Sequence, residues 1–496
     1  MIRRLLIANR GEIALRVIRA CREMGIESVA IYSDADARAG HVRAADFAVR
    51  VGPAPAVESY LDIDSVLRAA RLTKADAIHP GYGFLSENAA FAEACARSGV
   101  VFVGPPSEAI AQMGSKTAAR ALMTGAGVPV VPGRAPEDQT DVGIAAAAES
   151  IGFPVLVKAS AGGGGKGMRV GRSRDELRET IPAARREAVA AFGDGTLYVE
   201  RLIQRPRHVE VQVFGDAQGN IVHLFERECS IQRRHQKVIE ESPSPAVTGS
   251  LRNQLGQAAV AAARQVGYRN AGTIEFLLDG EGDQARFYFL EMNTRLQVEH
   301  GITEAVTGTD LVRAQLLVAT GAPLPWRQDT LSQRGHAIEC RVYAEDPSNG
   351  FLPQAGPLRL YREPSSPGIR IDSGVEEGAE VPVQYDPMLA KLIATGATRE
   401  AAIDRASAAL RRFPVLGVKT NIAWLIRTLG HAAFRAGRIH TGFVEDHLDE
   451  LSRASAPSTA VLAAAAIASR SLTASRPAGA TAAVPDPWNT LRGWGR

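Results

Sequence analysis

Apolar positions recur through the first hundred residues in two alternating rhythms. RRLLIAN and ESVAIYS are apolar runs of strand length; between them Ile13, Val17, Ile18, Cys21 and Met24 fall at helical spacing before Gly25. Glycine ends helices readily because it adopts the left-handed conformation without steric cost. Strand, helix and strand in that order predict a parallel sheet. The alternation returns in DAIHPGYGF, the helix-like ENAAFAEACARSG and the strand VVFVG, which bounds a first domain at residues 1–115.

After the short helix in SKTAARALMTGAG the rhythm becomes mixed. A helix-like DVGIAAAAESIG precedes the strand FPVLVKAS, and strands recur at TLYVERLI, HVEVQVFG, NIVHLFERE, GTIEFLLD and FYFLEMN, with a helix at SLRNQLGQAAVAAARQVG. This predicts an α+β block over residues 116–330. A third region, 331–447, contains GHAIECRVYAED and a helix at REAAIDRASAALRRF, and residues 448–496 turn to Ala, Ser and Pro, the composition of a linker.

One stretch breaks the apolar logic. EMNTRLQVEH, entered from FYFL, sets Glu291, Asn293, Arg295, Gln297 and Glu299 at every second position, so an extended chain would line one face with them. Either that face is open to water or a bound group needs it. GTIEFLLD and FYFLEMN, joined by a Gly- and Asp-containing loop, predict a hairpin closing near residue 283, which puts Glu275 opposite Glu291. Like charges so placed repel. A divalent cation would reverse that sign, and the two carboxylates with the Asn293 amide oxygen are hard ligands suited to Mg²⁺ or Mn²⁺. Two solvated carboxylates satisfy the same pattern, so the residues alone leave both readings open.

Gly162 to Gly165, followed by Lys166, lie between two strand signals just after Lys158. Glycines let backbone N–H groups approach phosphates closely, so the run predicts a phosphate lid rather than a linker. It is not a P-loop, because Gly167 stands where Ser or Thr is required. ERECSIQRRHQKVIEESPSP crowds charge into one segment, and such a run by itself reads as a solvated loop. With the glycine lid and the carboxylate pair in one block, it instead supplies the parts for γ-phosphoryl transfer to a small acceptor.

Composition narrows the classes. A chain of 496 residues, 45% hydrophobic and 22% charged, is an ordinary globular chain of several domains. A net charge of +3 speaks for neither nucleic acid nor an anionic membrane. Cys21, Cys95, Cys229 and Cys340 are widely spaced, which disfavours a zinc cluster or disulfide framework and fits a reducing cytoplasm. AVLAAAAIA is too short to span a bilayer.

LIANRGEIALR, AIHPGYGFLSEN, MGSK, KASAGGGGKGMRV, RHVEVQV, ECSIQRRHQKVIEESPSP, GTIEF, EMNTRLQVEH and ECRVYAEDP, in this order over residues 1 to 447, resemble biotin carboxylase, the ATP-grasp component of biotin-dependent carboxylases. The resemblance implies a Rossmann-like N-terminal domain, an ATP-grasp domain with a lid at about 131–203, and a C-terminal domain completing the biotin site. It also implies activation of bicarbonate by ATP to carboxyphosphate and carboxylation of biotin at N1′. By motif, Lys116, Lys158 and Gly163, Gly164 and Gly165 would hold the ATP phosphates. Glu200, Ile203 and His208 would contact adenine and ribose, and Gln232, His235 and Lys237 would reach ribose and phosphates. Glu275, Glu291 and Asn293 would bind the metal. Arg295, Gln297, Val298 and Lys237 would hold bicarbonate, Glu299 would be the base, and Arg341 would meet the biotin oxyanion.

The absence of a Met-Lys dipeptide implies that biotin arrives on a separate carrier. A carboxyltransferase subunit and a homodimer or larger complex are the remaining implied partners. DPWNTLRGW at 486–494 resembles the segment that follows this module in α-chains of the methylcrotonyl-CoA type. Two departures stand out: Gly301, where many relatives have Pro, is expected to loosen the segment holding the base, and Arg201 replaces a Lys of some relatives. The alternatives are another ATP-grasp ligase, separated by whether biotin rather than an amine drives ADP release, and a silent nucleotide-binding subunit.

Overall fold

The computed structural model describes residues 2–160, 168–453 and 459–474. The opening rhythm folds as the pattern predicts. Strands Arg4–Ile7, Glu27–Ser33, Phe47–Gly52, Ala77–His79 and Val101–Phe102 form a five-stranded parallel sheet. Helix Gly11–Met24 lays Ile13, Val17, Ile18 and Cys21 into the core and stops at Gly25, whose φ is 67°. Each such aliphatic side chain contributes about 1.5–3 kcal/mol by leaving water.

A four-stranded antiparallel sheet follows, ordered Gly133–Arg134, Leu197–Arg201, Val155–Ala159 and Arg169–Gly171. Helices Asp141–Ile151 and Arg174–Phe192 cover it. The second of these escaped the sequence reading. Its buried stripe is Leu177, Ile181, Ala184 and Ala188, and the alanines and surrounding charges dilute the helical period.

The largest element is an eight-stranded antiparallel sheet. Its order is Arg286–Asn293, Asn270–Asp279, Arg207–Gly215, Ile221–Arg233, Gln236–Ser242, His336–Tyr343, Met388–Gly396 and Ile369–Ser373. It runs across residue 330, because Gln236–Ser242 pairs with His336–Tyr343 from Ile239↔Cys340 to Ser242↔Ala337. In Arg207–Gly215 the alternation is clean: Val209, Val211 and Val213 pack on helix Gly249–Gln265, which turns His208, Glu210 and Gln212 the other way.

The charge run is not a solvated loop. Residues 226–242 lie almost entirely in strands Ile221–Arg233 and Gln236–Ser242, and Glu226, Arg227, Glu228, Glu240 and Glu241 are buried. Such burial is tolerable only where each charge finds a partner. Arg252 accordingly reaches Glu226 at 2.8 Å, and Arg399 reaches Glu241 at 2.6 Å.

A separate unit, 452–496, carries helix Thr459–Ala474 within the stretch read as linker. The lid residues Gly162 to Gly165 with Lys166, the side chain of Lys116 and the motif at 486–494 lie outside what is described. No helix among the described residues is long and apolar enough to cross a membrane.

Candidate active site

The hairpin forms in the expected register: Glu275 pairs with Glu291, and Thr273 with Asn293. The strand ends at Asn293, however, and the chain leaves the sheet. The single extended face expected from 291 to 299 therefore holds only for its first two members. Side-chain contacts replace the missing ladder. Arg295 donates to Asn293 Oδ1 at 3.1 Å and to Gln297 Oε1 at 3.0 Å, and Glu299 sits at the start of helix His300–Thr307.

Strand Arg207–Gly215 adds a carboxylate that sequence reasoning missed. Glu210 pairs directly with Glu275, so Glu210, Glu275 and Glu291 form an acidic row across three strands. Lys237 resolves the repulsion. Its Nζ donates to Glu210 at 2.6 Å, Glu275 at 2.7 Å and Glu299 at 2.9 Å. From behind, the fully buried Arg227 donates to Glu210 at 2.6 Å, to Gln212 at 2.8 Å and to Thr303 at 2.9 Å. Arg341 joins the cluster from the next strand, donating to Glu240 at 2.6 Å and to Glu299 at 2.9 Å.

The electrostatics follow from burial against pairing. Burial alone would lift the Glu299 carboxyl, but Lys237, Arg341 and Arg227 outweigh it and hold it well below the ordinary carboxylate range. Glu275 is likewise held down, by Lys237 and His208 against burial. Burial would lower Lys237, yet Glu210, Glu275 and Glu299 raise it well above a free lysine. Glu240 behaves differently: burial dominates over Arg341 and pushes it up to about 7.

A cavity of about 1210 Å³ opens above this floor, and Lys158, Glu200, Ile203, His208, Gln232, His235, Lys237, Glu275, Glu291, Asn293, Arg295, Gln297, Val298 and Arg341 line it. Glu299 lies beneath, reached through its two cations. At one end Val131, Ile203, Tyr288 and Leu277 form an apolar slot suited to a flat ring, beside the ion pair of Lys158 and Glu200. Gln232 and His235 come from a two-residue hairpin: Arg233 pairs with Gln236, and between them Arg234 and His235 have φ of 49° and 65°. Two successive left-handed residues make a tight turn that normally takes Asn-Gly.

Other missed groups hold the first set in place. Glu87, in the loop after the parallel sheet's GYGF, accepts from Arg295 Nε at 2.8 Å and from the Thr294 N–H at 3.0 Å. Lys391 donates to the Val298 carbonyl at 2.7 Å and lies 3.2 Å from Glu12, which also accepts from Tyr82 at the cavity wall. The expected loosening at Gly301 is not what the packing gives. A Cβ there would meet Ile393 Cδ1 at 2.4 Å, so glycine lets the helix start lie close on the sheet.

Glu275, Glu291 and Asn293 present hard oxygen atoms at one end of the acidic row, a donor set that fits Mg²⁺ or Mn²⁺. The lysines, the ring slot and the buried carboxylate between two cations together suit nucleotide-driven activation of a small anion.

Comparison with known proteins gives three family matches: "Biotin carboxylase, N-terminal domain" over residues 1–110, "Carbamoyl-phosphate synthase L chain, ATP binding domain" over 115–327, and "Biotin carboxylase C-terminal domain" over 339–446. The α subunit of mitochondrial methylcrotonoyl-CoA carboxylase from Rattus norvegicus is 51% identical over 451 residues, 91% of this chain and 63% of that one. Biotin carboxylase from Halalkalibacterium halodurans is 50% identical over 90% of this chain and 98% of its own. Among solved structures, the biotin carboxylase domain dimer of Hydrogenobacter thermophilus 2-oxoglutarate carboxylase, in complex with MgADP, ADP and bicarbonate, superposes with a TM-score of 0.87 at 44% identity. It covers 92% of this chain and 100% of that domain. The chain spans less than two thirds of the methylcrotonoyl-CoA carboxylase subunits of Rattus norvegicus and Mus musculus.

Proposed function

Because the chain belongs to the biotin carboxylase family, we propose that it uses ATP to activate bicarbonate as carboxyphosphate and passes the carboxyl group to N1′ of a biotin carried by another protein or domain. One observation carries this: Glu299, the only carboxylate here shared by Lys237 and Arg341 among the described residues, lies where a phosphate-side cation and a biotin-side cation meet.

That sharing has a mechanistic consequence. A carboxylate pinned between two cations is a weak base, and Glu299 is so pinned in this arrangement. Incoming ATP phosphates compete for Lys237, and the biotin ureido oxygen competes for Arg341. Each competition withdraws a cation from Glu299 and raises its basicity, so it takes the bicarbonate proton only when the other reactants are in place. Arg295, anchored through Nε by Glu87, would exchange its bonds to Asn293 and Gln297 for bicarbonate, clamping it with Gln297 and Val298. Arg341 then stabilises the oxyanion that develops on biotin. Glu275, Glu291 and Asn293 would hold Mg²⁺ or Mn²⁺, which neutralises phosphate charge when bound. Lys116, Lys158 and the glycines Gly163 to Gly165 complete the phosphate side, with Glu200, Ile203, His208, Gln232 and His235 about the nucleoside.

On this reading residues 1–115, 116–330 and 331–447 are the three functional domains. The partners are a biotin carrier and a carboxyltransferase, and the enzyme is a cytoplasmic homodimer or part of a larger complex. Incubation with labelled bicarbonate, MgATP and free biotin tests the assignment. Labelled carboxybiotin and matching phosphate release are expected, and bicarbonate-dependent ATP cleavage without biotin carboxylation would assign the site to a different ligase.

A further inference from the structure

The face of strand His336–Tyr343 that turns toward helix His300–Thr307 carries Ala337, Glu339 and Arg341, while Ile338, Cys340 and Val342 pack beneath helix Arg399–Arg411. Glu339 is therefore a carboxyl set among apolar groups. Its own cross-strand neighbours are Ile393 on one side and Glu240 on the other, and Ile302, Val306 and Ala337 pack with Ile393 beside it. Gly301 presses from above, since a Cβ there would lie 3.5 Å from Glu339 Oε2. Glu339 has no exposure, and neither of its oxygens has a hydrogen-bond partner among the described residues.

The charges around it are already committed. From the same strand, Arg341 is held by Glu240 and Glu299. From strand Met388–Gly396, Lys391 serves the Val298 carbonyl, Glu12 and Asp372. His300, at the helix start, uses Nδ1 on the Gln297 carbonyl; its Nε2 has no partner among the described residues, and burial keeps the ring neutral, so it supplies no charge, while Tyr82 is bonded to Glu12. None pairs with Glu339 within ion-pair distance among the described residues. An unpartnered carboxylate in such surroundings does not stay ionised. A neutral acid, however, has an O–H that must find an acceptor. The cross-strand neighbour Glu240 has one free: its Oε1 takes Arg341, and its Oε2 is without a partner. Opposed side chains on antiparallel strands have Cβ atoms about 4.5–5.5 Å apart, within reach of two carboxyl groups.

We propose that Glu339 is kept as a neutral carboxylic acid that lends its proton to Glu240, so that the pair presents one negative charge to Arg341 and fixes its fork for biotin. Glu339 is thus a positioning residue acting through Glu240, and this rests on Arg341 being the biotin-side cation. Burial pushing Glu339 well above the ordinary carboxylate range, against the pull of Lys391, agrees with the geometry.

Two variants separate a proton donor from a space filler. Glu339→Leu removes the donor and should lower kcat/KM for free biotin about tenfold, the order of one lost charge-assisted hydrogen bond, with KM for MgATP unchanged. Glu339→Gln keeps a neutral donor and should restore kcat/KM to within about threefold of wild type. The wild type should show an alkaline decline in kcat/KM as the shared proton is lost, and Glu339→Gln should abolish it. Infrared spectroscopy at mildly alkaline pH gives a readout free of turnover: the wild type should show the carbonyl stretch of a protonated carboxylic acid, and Glu339→Gln should lack it. An unchanged band in Glu339→Gln, or a loss in that variant as deep as in Glu339→Leu, overturns the proposal. If the wild type turned over no biotin, the functional reading would fall, while the band would still decide whether Glu339 is neutral.

Discussion

Lys237 and Lys391 stand in one sheet with a single strand between them, both ringed by carboxylates, yet they face opposite situations. Lys237 divides one positive charge among three carboxylates, and its side chain keeps 11% exposure to the cavity. Lys391 has none, and one of its partners is a neutral carbonyl that cannot leave. A cation that itself reaches the cavity can exchange its partners for substrate. One whose partners are fixed and dry can only hold the fold. Burial of charge thus marks function only where an exchange path exists.

That contrast can be broken by experiment. The largest effect is expected from Lys391→Met, which takes the cation from Glu12 and one of several from Asp372 and leaves the Val298 carbonyl without it; a loss of about 3–5 kcal/mol in unfolding free energy is expected from denaturant titration. The loss should depend on pH. Burial would lift Asp372, but Lys391 and Arg370 outweigh it and hold its carboxyl below the usual range. A carboxylate so lowered stabilises the fold above its unfolded value of about 4 and ceases to as pH falls beneath it. The gap between wild type and variant should narrow in acid, and Glu12, which burial lifts and Lys391 draws down, adds to it in the same sense. A gap that widened in acid would contradict the ion pairing.

Lys237→Met comes next and should invert the outcome. Turnover should fall about a hundred- to a thousandfold, while unfolding shifts by only about 1–2 kcal/mol because Arg227 still holds Glu210, His208 still holds Glu275 and Arg341 still holds Glu299. Equal losses of stability in the two lysine variants would erase the distinction. Glu87→Gln sharpens it at the rim. Glu87 is 40% exposed, so the pair with Arg295 is discounted by screening, and KM for bicarbonate should rise about three- to tenfold with kcat little changed. Gly301→Ala should do least: crowding Ile393 costs about 1 kcal/mol, and relief of glycine in a helix returns about as much.

The parts of this site that were legible in sequence are those whose partner lies a hairpin away. Glu275 opposite Glu291 needed only a turn and a count. Glu210 was equally regular, with His208 and Gln212 alternating against Val209, Val211 and Val213, and that parity could have flagged it. What it lacked was a partner in view: its register with Glu275 spans more than sixty residues of chain. Glu87, Lys391 and Glu240 were hidden for the same reason, since each acts on a segment distant in sequence. Periodicity also overreached, because the alternation from 291 to 299 continues past the strand's end, where side-chain contacts rather than pleat geometry set direction.

The turn at Arg234–His235 carries a consequence for anyone evolving this enzyme. Each left-handed non-glycine residue costs about 1–2 kcal/mol, which Asn-Gly at the same two positions would largely recover. A library selected for heat resistance alone should therefore drift toward Asn-Gly there and discard the nucleoside contact proposed for His235. The most tempting gain in robustness lies where the ATP site would be lost, so any selection on this scaffold has to screen turnover in the same round.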